Sequence, residues 1–234
     1  MNTELENTIL LATAFLGLFG IAEIIYHTFK VKAEITRKLV HFLSGVLTLL
    51  FPVAVNNVWL VLALCIAFAV ILTVSLKFSF LKSVNAIDRK SYGSISYPLA
   101  VFACYCFYDW YKTCHENNTG YIAFYLPILT LAVCDPLAAF SGRRWPLGKY
   151  KIGAETKSLM GSTVFFISAF ALSFLLLFAS KSENQTIAQT LAVSALLGVI
   201  GSITEGISRK GLDNLTIPAA AILCFYILSN TLLS

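Results

Sequence analysis

Eight apolar stretches constrain the fold of this chain more than any other feature of its sequence. They cover residues 8–29, 39–55, 58–76, 94–110, 120–142, 160–180, 187–205 and 216–233. A helix needs about 20 apolar residues to cross a bilayer, where its backbone must satisfy its own hydrogen bonds. The 234 residues are 58% hydrophobic and only 12% charged. We therefore expect a single all-α integral membrane domain over residues 1–234, built as a bundle of about eight transmembrane helices.

The basic residues predict how this bundle is oriented. All but two of the 17 Lys and Arg residues fall in alternate connections, at 30–38, 77–93, 143–159 and 206–215. The exceptions are Lys112 and Lys181, in the other set of loops. Because Lys and Arg favour the cytoplasmic side, we expect the four basic loops to be cytoplasmic and both termini to lie outside. The membrane is a bacterial inner membrane or an organellar or ER membrane, depending on the host.

Three further features bear on the class of protein. The basic clusters are short and separated, so they indicate topology and no nucleic-acid partner. Residues 1–8 carry Glu4 and Glu6 but no cation, which predicts a retained first helix and no cleaved signal. The six cysteines form no CxxC pair, which predicts small buried thiols. The N-x-T triplets at Asn117 and Asn184 are expected to be chance occurrences.

Ionisable residues inside the apolar stretches are candidates for function, because their burial in lipid is costly. Five of them lie towards the predicted cytoplasmic end of their helix: Glu23, His27, His41, Asp135 and Glu205. A small ion-coupled transporter is one interpretation of such residues. Clustering at one leaflet and the lack of a visible inverted repeat both argue against it.

The segment from residue 134 to 162 has the highest density of polar groups. It combines Asp135 with five cations, Arg143, Arg144, Lys149, Lys151 and Lys157. Such a set could hold a polyphosphate with Mg²⁺, because cations pair with phosphate oxygens and a carboxylate binds a hard cation. Gly148 could expose backbone N–H groups, and Ser158 or Ser162 falls near a predicted helix N-terminus. The alternative is a basic loop that serves orientation alone. The sequence contains no GxxxxGK[ST] loop.

Three other segments lie at the same predicted depth. Residues 205–218 supply Glu205, Asp213 and Asn214. These side chains could bind a metal ion or a sugar hydroxyl, or the segment could be a tight turn in which Asp213 or Asn214 caps the last helix. Residues 36–45 place Lys38 and His41 on one helix face, where His41 is a proton acceptor, a phosphate partner or a structural group. Residues 88–98 add further cations and hydroxyls, or form a solvated loop.

Taken in order, these segments resemble the CTP-dependent polyprenol kinase family, which includes phytol, farnesol and dolichol kinases and a diacylglycerol kinase branch. The matching stretches are RKLVHFLSG at 37–45, YGSISYPL at 92–99, DPLAAFSGRRWPLGKYKI at 135–152, KSLMGS at 157–162 and EGISRKGLDNLTIP at 205–218. The third and fourth stretches are also distantly similar to the region of phosphatidate cytidylyltransferases that binds CTP and Mg²⁺. The KSLMGS motif commonly has an acid before its glycine, where this chain has Met160.

The resemblance implies transfer of the γ-phosphoryl group of CTP to a long-chain isoprenoid alcohol or to diacylglycerol, with Mg²⁺ as cofactor. It implies catalytic roles for Asp135, Glu205 and His41, and metal binding by Asp135, Asp213 and Glu205. The implied nucleotide-binding residues are Lys38, Arg143, Arg144, Gly148, Lys149, Lys151, Lys157, Ser158 and Gly161. The implied substrate and loop residues are Tyr97, Gly211, Asp213 and Asn214. A cytidylyltransferase that makes a CDP-lipid is the alternative enzyme.

Overall fold

A helical bundle forms the protein in the computed structural model, which describes residues 3–86, 92–115, 120–153, 155–180 and 185–231. Two antiparallel strands and one π-helical turn, Thr130–Cys134, interrupt the helices. The helices are α1 Thr3–Thr28, α2 Ala33–Thr48, α3 Phe51–Ala54, α4 Val58–Phe78, α5 Lys82–Asn85, α6 Gly93–Cys114, α7 Gly120–Leu129, α8 Asp135–Arg144, α9 Leu159–Ala179, α10 Ile187–Ile207 and α11 Asp213–Thr231. The strands are β1 Lys149–Ile152 and β2 Glu155–Ser158.

Six helical segments among the described residues are long and apolar enough to cross a membrane. They are α1, α2 with α3, α4, α7 to α8, α9 and α10. α6 is less apolar because it contains Asp109 and several tyrosines, and α11 contributes a shorter apolar helix. Large apolar side chains such as Leu10 and Leu175 are 69% and 64% exposed, as a lipid-facing surface requires. These helices are consistent with the predicted all-α membrane protein, while the count of eight spans and the position of both termini outside stay predictions.

Proline explains where two helices depart from the predicted stretches. The second stretch, 39–55, is split between α2 and α3, because the ring of Pro52 would clash with the carbonyl of Thr48 in a continuous helix. The fifth stretch, 120–142, contains the π turn before Pro136. Residues 88–91 of the fourth charged segment, the triplet at Asn117, and Asn184 of the second triplet lie outside the described residues.

A β-hairpin in the third basic loop was not predicted from the sequence. Strands β1 and β2 pair antiparallel, with Lys149 opposite Ser158 and Tyr150 opposite Lys157. Gly153 adopts a positive φ of 61° in the turn, a conformation that glycine adopts without strain. The hairpin leads directly into α9, whose first turn is capped by the Ser158 hydroxyl accepting from the N–H of Gly161. The loop is thus an ordered element and not only a basic connection.

Buried apolar side chains pack between the helices next to the charged end of the bundle. α9 lies between α8 and α10, α10 contacts α11, and α11 contacts α6. A buried cluster that includes Leu131, Cys134 and Phe165 lies directly beneath Asp135. The six cysteines are all free thiols, and four of them are buried. This packing places the start of α8 against α9.

Candidate active site

Lys38 and Asp135 form the innermost ion pair of the candidate site. Lys38 Nζ lies 2.5 Å from Asp135 Oδ2, and the Asp135 side chain is only 5% exposed. His41 Nε2 is 3.9 Å from the same carboxylate oxygen and 3.0 Å from the carbonyl oxygen of Leu131. Because a carbonyl can only accept, Nε2 of His41 carries the proton of that hydrogen bond. His41 therefore orients the wall around Asp135 and cannot accept a proton through Nε2.

The π turn before α8 determines where the Asp135 carboxylate lies. Pro136 follows Asp135 and lacks an N–H, so a regular α-helix would lose a hydrogen bond at this point. π turns within helices are often found at functional sites, because they change the direction of the side chains that follow. α2 approaches this turn closely, since a Cβ added at Gly45 would be 2.2 Å from Ala132 Cβ. Gly45 is thus required for the contact that brings Lys38 and His41 to Asp135.

Lys157 and Glu205 form a second ion pair, between β2 and the end of α10. Lys157 Nζ lies 2.7 Å from Glu205 Oε1 and also donates to the backbone carbonyl of Glu205. Both side chains are less than 15% exposed, so the pair is largely protected from solvent. Tyr150, opposite Lys157 on β1, bonds to Ser162 on α9 through its hydroxyl at 2.9 Å. The hairpin is thereby attached to both α9 and α10.

α8 and α9 approach each other through small residues. A Cβ at Gly142 would lie 2.8 Å from Ser158 Oγ and 3.2 Å from Gly161 Cα. The Ser158 hydroxyl donates to the carbonyl of Gly142 at 3.3 Å, in addition to capping α9. The N-terminus of α9 therefore lies against the cationic end of α8, and the positive end of a helix dipole favours anions.

Residues 205–214 close the site from the α10–α11 side. The backbone N–H of Lys210 donates to Glu155 Oε1 at 2.8 Å, which joins this turn to the hairpin. Gly211, at φ 80°, accepts from the Ser96 hydroxyl through its carbonyl oxygen, and Asn214 Nδ2 donates to the carbonyl of Gly93 at 2.8 Å. Asn214 is thus a structural link to α6, while Asp213 begins α11.

These elements enclose one cleft of about 670 Å³. That volume falls within the usual range of small-molecule sites, roughly 300–1,000 Å³. Nine of the residues singled out from the sequence line it: Lys38, Asp135, Arg143, Lys149, Lys157, Ser158, Gly161, Glu205 and Asp213. They come from three separate segments of the chain, residues 36–45, 134–162 and 205–218, so these segments do converge in space.

Other predicted site residues lie beside the cleft and not in its lining. Arg144 lies over the ring of Trp145, with its guanidinium carbon 5.9 Å from the ring centroid. Lys151 is exposed on β1, and Gly148 accepts from the N–H of Leu159 at a φ of 62°. The remaining four residues lie behind the cleft lining: His41, Tyr97, Gly211 and Asn214. His41, Gly211 and Asn214 make the hydrogen bonds described above. The Tyr97 ring makes an edge-on contact with the His41 ring.

Four charged residues of the lining were not among the predicted site residues. They are Glu34, Glu155, Arg209 and Lys210. Glu34 lies in the first turn of α2 and pairs with Arg143 on α8. Arg209 and Lys210 belong to a segment that the sequence did single out, but nothing in the sequence indicated that Glu34 and Glu155 would face the same cleft. Two other predicted candidates lie elsewhere: Glu23 accepts from the Ser83 N–H at 3.3 Å, and His27 is 3.6 Å from Glu23.

The donor chemistry of the cleft is compatible with Mg²⁺. Asp135, Glu205 and Asp213 bring three carboxylates to one cleft, and Mg²⁺ is usually held by one or two carboxylates together with substrate phosphates. Within the described part of the chain, no group of three His, Cys, Asp or Glu side chains forms a preformed metal site. The carboxylates fit the ion by type, with phosphate oxygens needed to complete its coordination.

Comparison with known proteins agrees with this site. The chain is 27% identical over 220 residues to a phytol kinase of Synechocystis sp., and the match covers 91% of this chain and 88% of that protein. No family model matches the chain. No solved structure matches it either. The similarity to the Synechocystis protein extends over nearly the whole bundle.

Proposed function

We propose that this chain, which belongs to the polyprenol and phytol kinase-like family, is a membrane enzyme that transfers the γ-phosphoryl group of CTP to a long-chain isoprenoid alcohol such as phytol. The observation that carries the proposal is the convergence of three charged segments on one cleft. Cations from α2, α8 and the hairpin face the cleft together with the carboxylates of Asp135, Glu205 and Asp213. Phosphoryl transfer depends mainly on such positioning and charge neutralisation.

Each charged group has a proposed task in this reaction. Arg143, Lys149 and Lys157 neutralise the triphosphate, and the positive end of the α9 helix dipole, at Ser158 and Gly161, favours its negative charge. Asp135 and Asp213 would hold Mg²⁺. Glu205 provides a further carboxylate in the same cleft. When bound, the ion neutralises charge on the phosphate oxygens.

The proposed step is a single displacement at phosphorus. The hydroxyl oxygen of the alcohol forms a bond to the γ-phosphorus, and the bond from that phosphorus to the β,γ-bridging oxygen breaks. CDP leaves, and the hydroxyl proton passes to a carboxylate of the cleft. His41 donates to the carbonyl oxygen of Leu131, and Lys38 pairs with the Asp135 carboxylate, so both side chains hold Asp135 in place.

A kinase assay with labelled CTP tests the proposal. Purified protein is incubated with Mg²⁺ and either γ- or α-labelled CTP, together with phytol, farnesol, dolichol, diacylglycerol or phosphatidate. Label from the γ position alone is expected in a lipid monophosphate. Incorporation of the α-label into lipid would identify a cytidylyltransferase instead, and no labelled lipid from any acceptor would overturn both enzyme assignments.

A further inference from the structure

The hairpin runs along the cleft from its α8 side to its α10–α11 side. At the base of the hairpin, the Ser158 hydroxyl donates to the carbonyl of Gly142 on α8. At its turn, a Cβ added at Gly153 would lie 2.9 Å from Arg209 Nη1, so the Arg209 guanidinium lies against the turn. Each strand has four residues and is therefore about 10 Å long. The two ends of the hairpin thus contact different sides of the cleft.

Lys157 and Glu155 point to the same side of strand β2, because they are two residues apart. Both line the cleft. Lys157 lies towards the base of the hairpin and pairs with Glu205, whereas Glu155 lies next to the turn and accepts from the backbone N–H of Lys210 at 2.8 Å. The two positions are about 6.6 Å apart along the strand. A nucleotide whose phosphates reach Lys157 can therefore extend its base towards Glu155.

A carboxylate and a guanidinium come together at this end of the cleft. Arg209 reaches the turn at Gly153, and Glu155 is bonded to Lys210, the neighbour of Arg209 in sequence. Both side chains line the cleft, and neither has a task in the phosphoryl transfer proposed above. A carboxylate that holds one N–H can accept further hydrogen bonds, because its two oxygens have about four lone-pair sites. Arg209 supplies N–H donors in a planar fork.

Cytosine has a polar edge that such a pair can bind. Its amino group at N4 is a donor, and Glu or Asp side chains accept from this group. Its N3 and O2 atoms are acceptors, which suit a guanidinium. Uracil has an acceptor, O4, in place of the amino group, and a donor at N3. A carboxylate opposite O4 would form no hydrogen bond and would leave two acceptors facing each other, so this end of the cleft disfavours uracil.

From this arrangement we propose that Glu155 and Arg209 bind the base of the nucleotide and select cytosine over uracil. Glu155 accepts from the N4 amino group, and Arg209 donates to O2 and N3. The inference rests on the proposed kinase function and extends it to nucleotide selection. The base then lies at the turn of the hairpin, the ribose lies between Glu155 and Lys157, and the phosphates extend towards Asp135.

Glu155→Gln tests the selection. The amide keeps the size of the carboxylate and an oxygen that can accept from the N–H of Lys210, while its NH₂ group can donate to O4 of uracil. We expect kcat/KM for CTP to fall about tenfold to a hundredfold, the usual effect of losing a hydrogen bond to a charged group, while kcat/KM for UTP rises or stays the same. The ratio of the two values is measured with γ-labelled CTP and UTP and with phytol as acceptor. It is expected to shift by at least about tenfold.

Glu34→Gln is the matched control. Glu34 also lines the cleft, but it pairs with Arg143 on α8 and does not belong to the hairpin. This substitution is expected to change kcat/KM for CTP and UTP by the same factor. Equal factors for the two nucleotides in Glu155→Gln would overturn the inference, and so would equal use of CTP and UTP by the wild type.

Photolabelling of the wild type keeps the inference testable if Glu155→Gln does not fold. 4-Thiouridine triphosphate carries its photoreactive sulfur at the position of the cytosine amino group. Irradiation is expected to attach it to the hairpin or to the α10–α11 turn, and an excess of CTP should prevent the labelling. Labelling confined to α2 or α8, or labelling that CTP does not reduce, would overturn the inference.

The wild-type protein separates the two failures. If it transfers phosphate from CTP to phytol and Glu155→Gln affects both nucleotides equally, the base is bound elsewhere while the kinase assignment stands. If the wild type transfers no phosphoryl group from CTP to any alcohol, the proposed function itself fails and the inference falls with it.

Discussion

Lys157 Nζ, on the hairpin, lies 2.7 Å from Glu205 Oε1 at the end of α10. The two residues are far apart in sequence, and their contact joins the two charged segments that the proposed function requires in one place. Because the pair is largely protected from solvent, removal of one partner leaves the other charge without compensation.

Lys157→Met is expected to raise KM for CTP by about tenfold to a hundredfold, since a hydrogen bond to a charged group contributes about 1.5–3 kcal/mol. Steady-state kinetics with varied CTP measures this effect. Lys151→Met is the matched control, because Lys151 is exposed on the same hairpin and does not line the cleft. Equal effects from both substitutions would show that Lys157 acts only through general positive charge.

Asp135→Asn is expected to lower kcat at least about a hundredfold, which is the usual scale for loss of one electrostatic group at a reacting centre. The side chain keeps its size but Lys38 loses its counter-charge, so a lower Tm is also expected, and kcat is compared at a temperature at which the variant is folded. Asp109→Asn on α6 is the control, since Asp109 does not line the cleft. Activity of Asp135→Asn equal to that of the wild type would contradict the assignment.

Metal removal is expected to abolish activity, because the three carboxylates of the cleft fit Mg²⁺ when phosphate oxygens complete its coordination. Activity is measured after EDTA treatment and again after addition of Mg²⁺ or Ca²⁺. Recovery with Mg²⁺ and not with Ca²⁺ is the expected result. Full activity in EDTA would show that the reaction does not require a metal ion.

Gly45→Ala is expected to lower stability by about 1–3 kcal/mol, the usual cost of overpacking. The added Cβ would overlap Ala132 Cβ and push α2 away from the π turn that precedes Asp135. Thermal unfolding in detergent measures the loss. Gly17→Ala is the control, because no atom lies within 4 Å of its added Cβ. A change in Tm no larger than that of Gly17→Ala would show that the contact is not tight.

Much of this architecture follows from the sequence, because apolar stretches of membrane-spanning length have few alternatives in lipid. The convergence of residues 37–45, 135–162 and 205–214 was predicted from their shared depth and family resemblance. Their inclusion in one cleft agrees with that prediction. The roles of the individual residues stay predictions.

The hairpin and the π turn could not be predicted in the same way. The hairpin is only four residues per strand, and its sequence KYKI–GAETKS gives no stronger signal than an irregular loop. The π turn depends on the packing of α2 against Ala132, which no local pattern reveals. For the same reason Glu34 and Glu155 were missed, since each reaches the cleft only through tertiary contacts.

The proposed active site requires residues 135–157 and 205–214 to lie on the same side of the membrane. Cysteine labelling in sealed vesicles tests this directly, in a protein whose native thiols are all replaced except the exposed Cys114 at the end of α6. Lys151→Cys and Arg209→Cys are then introduced one at a time, both at exposed positions. A membrane-impermeant maleimide is expected to label the two introduced thiols from the same side of the membrane, and Cys114 from the other. Labelling of positions 151 and 209 from opposite sides would contradict the account.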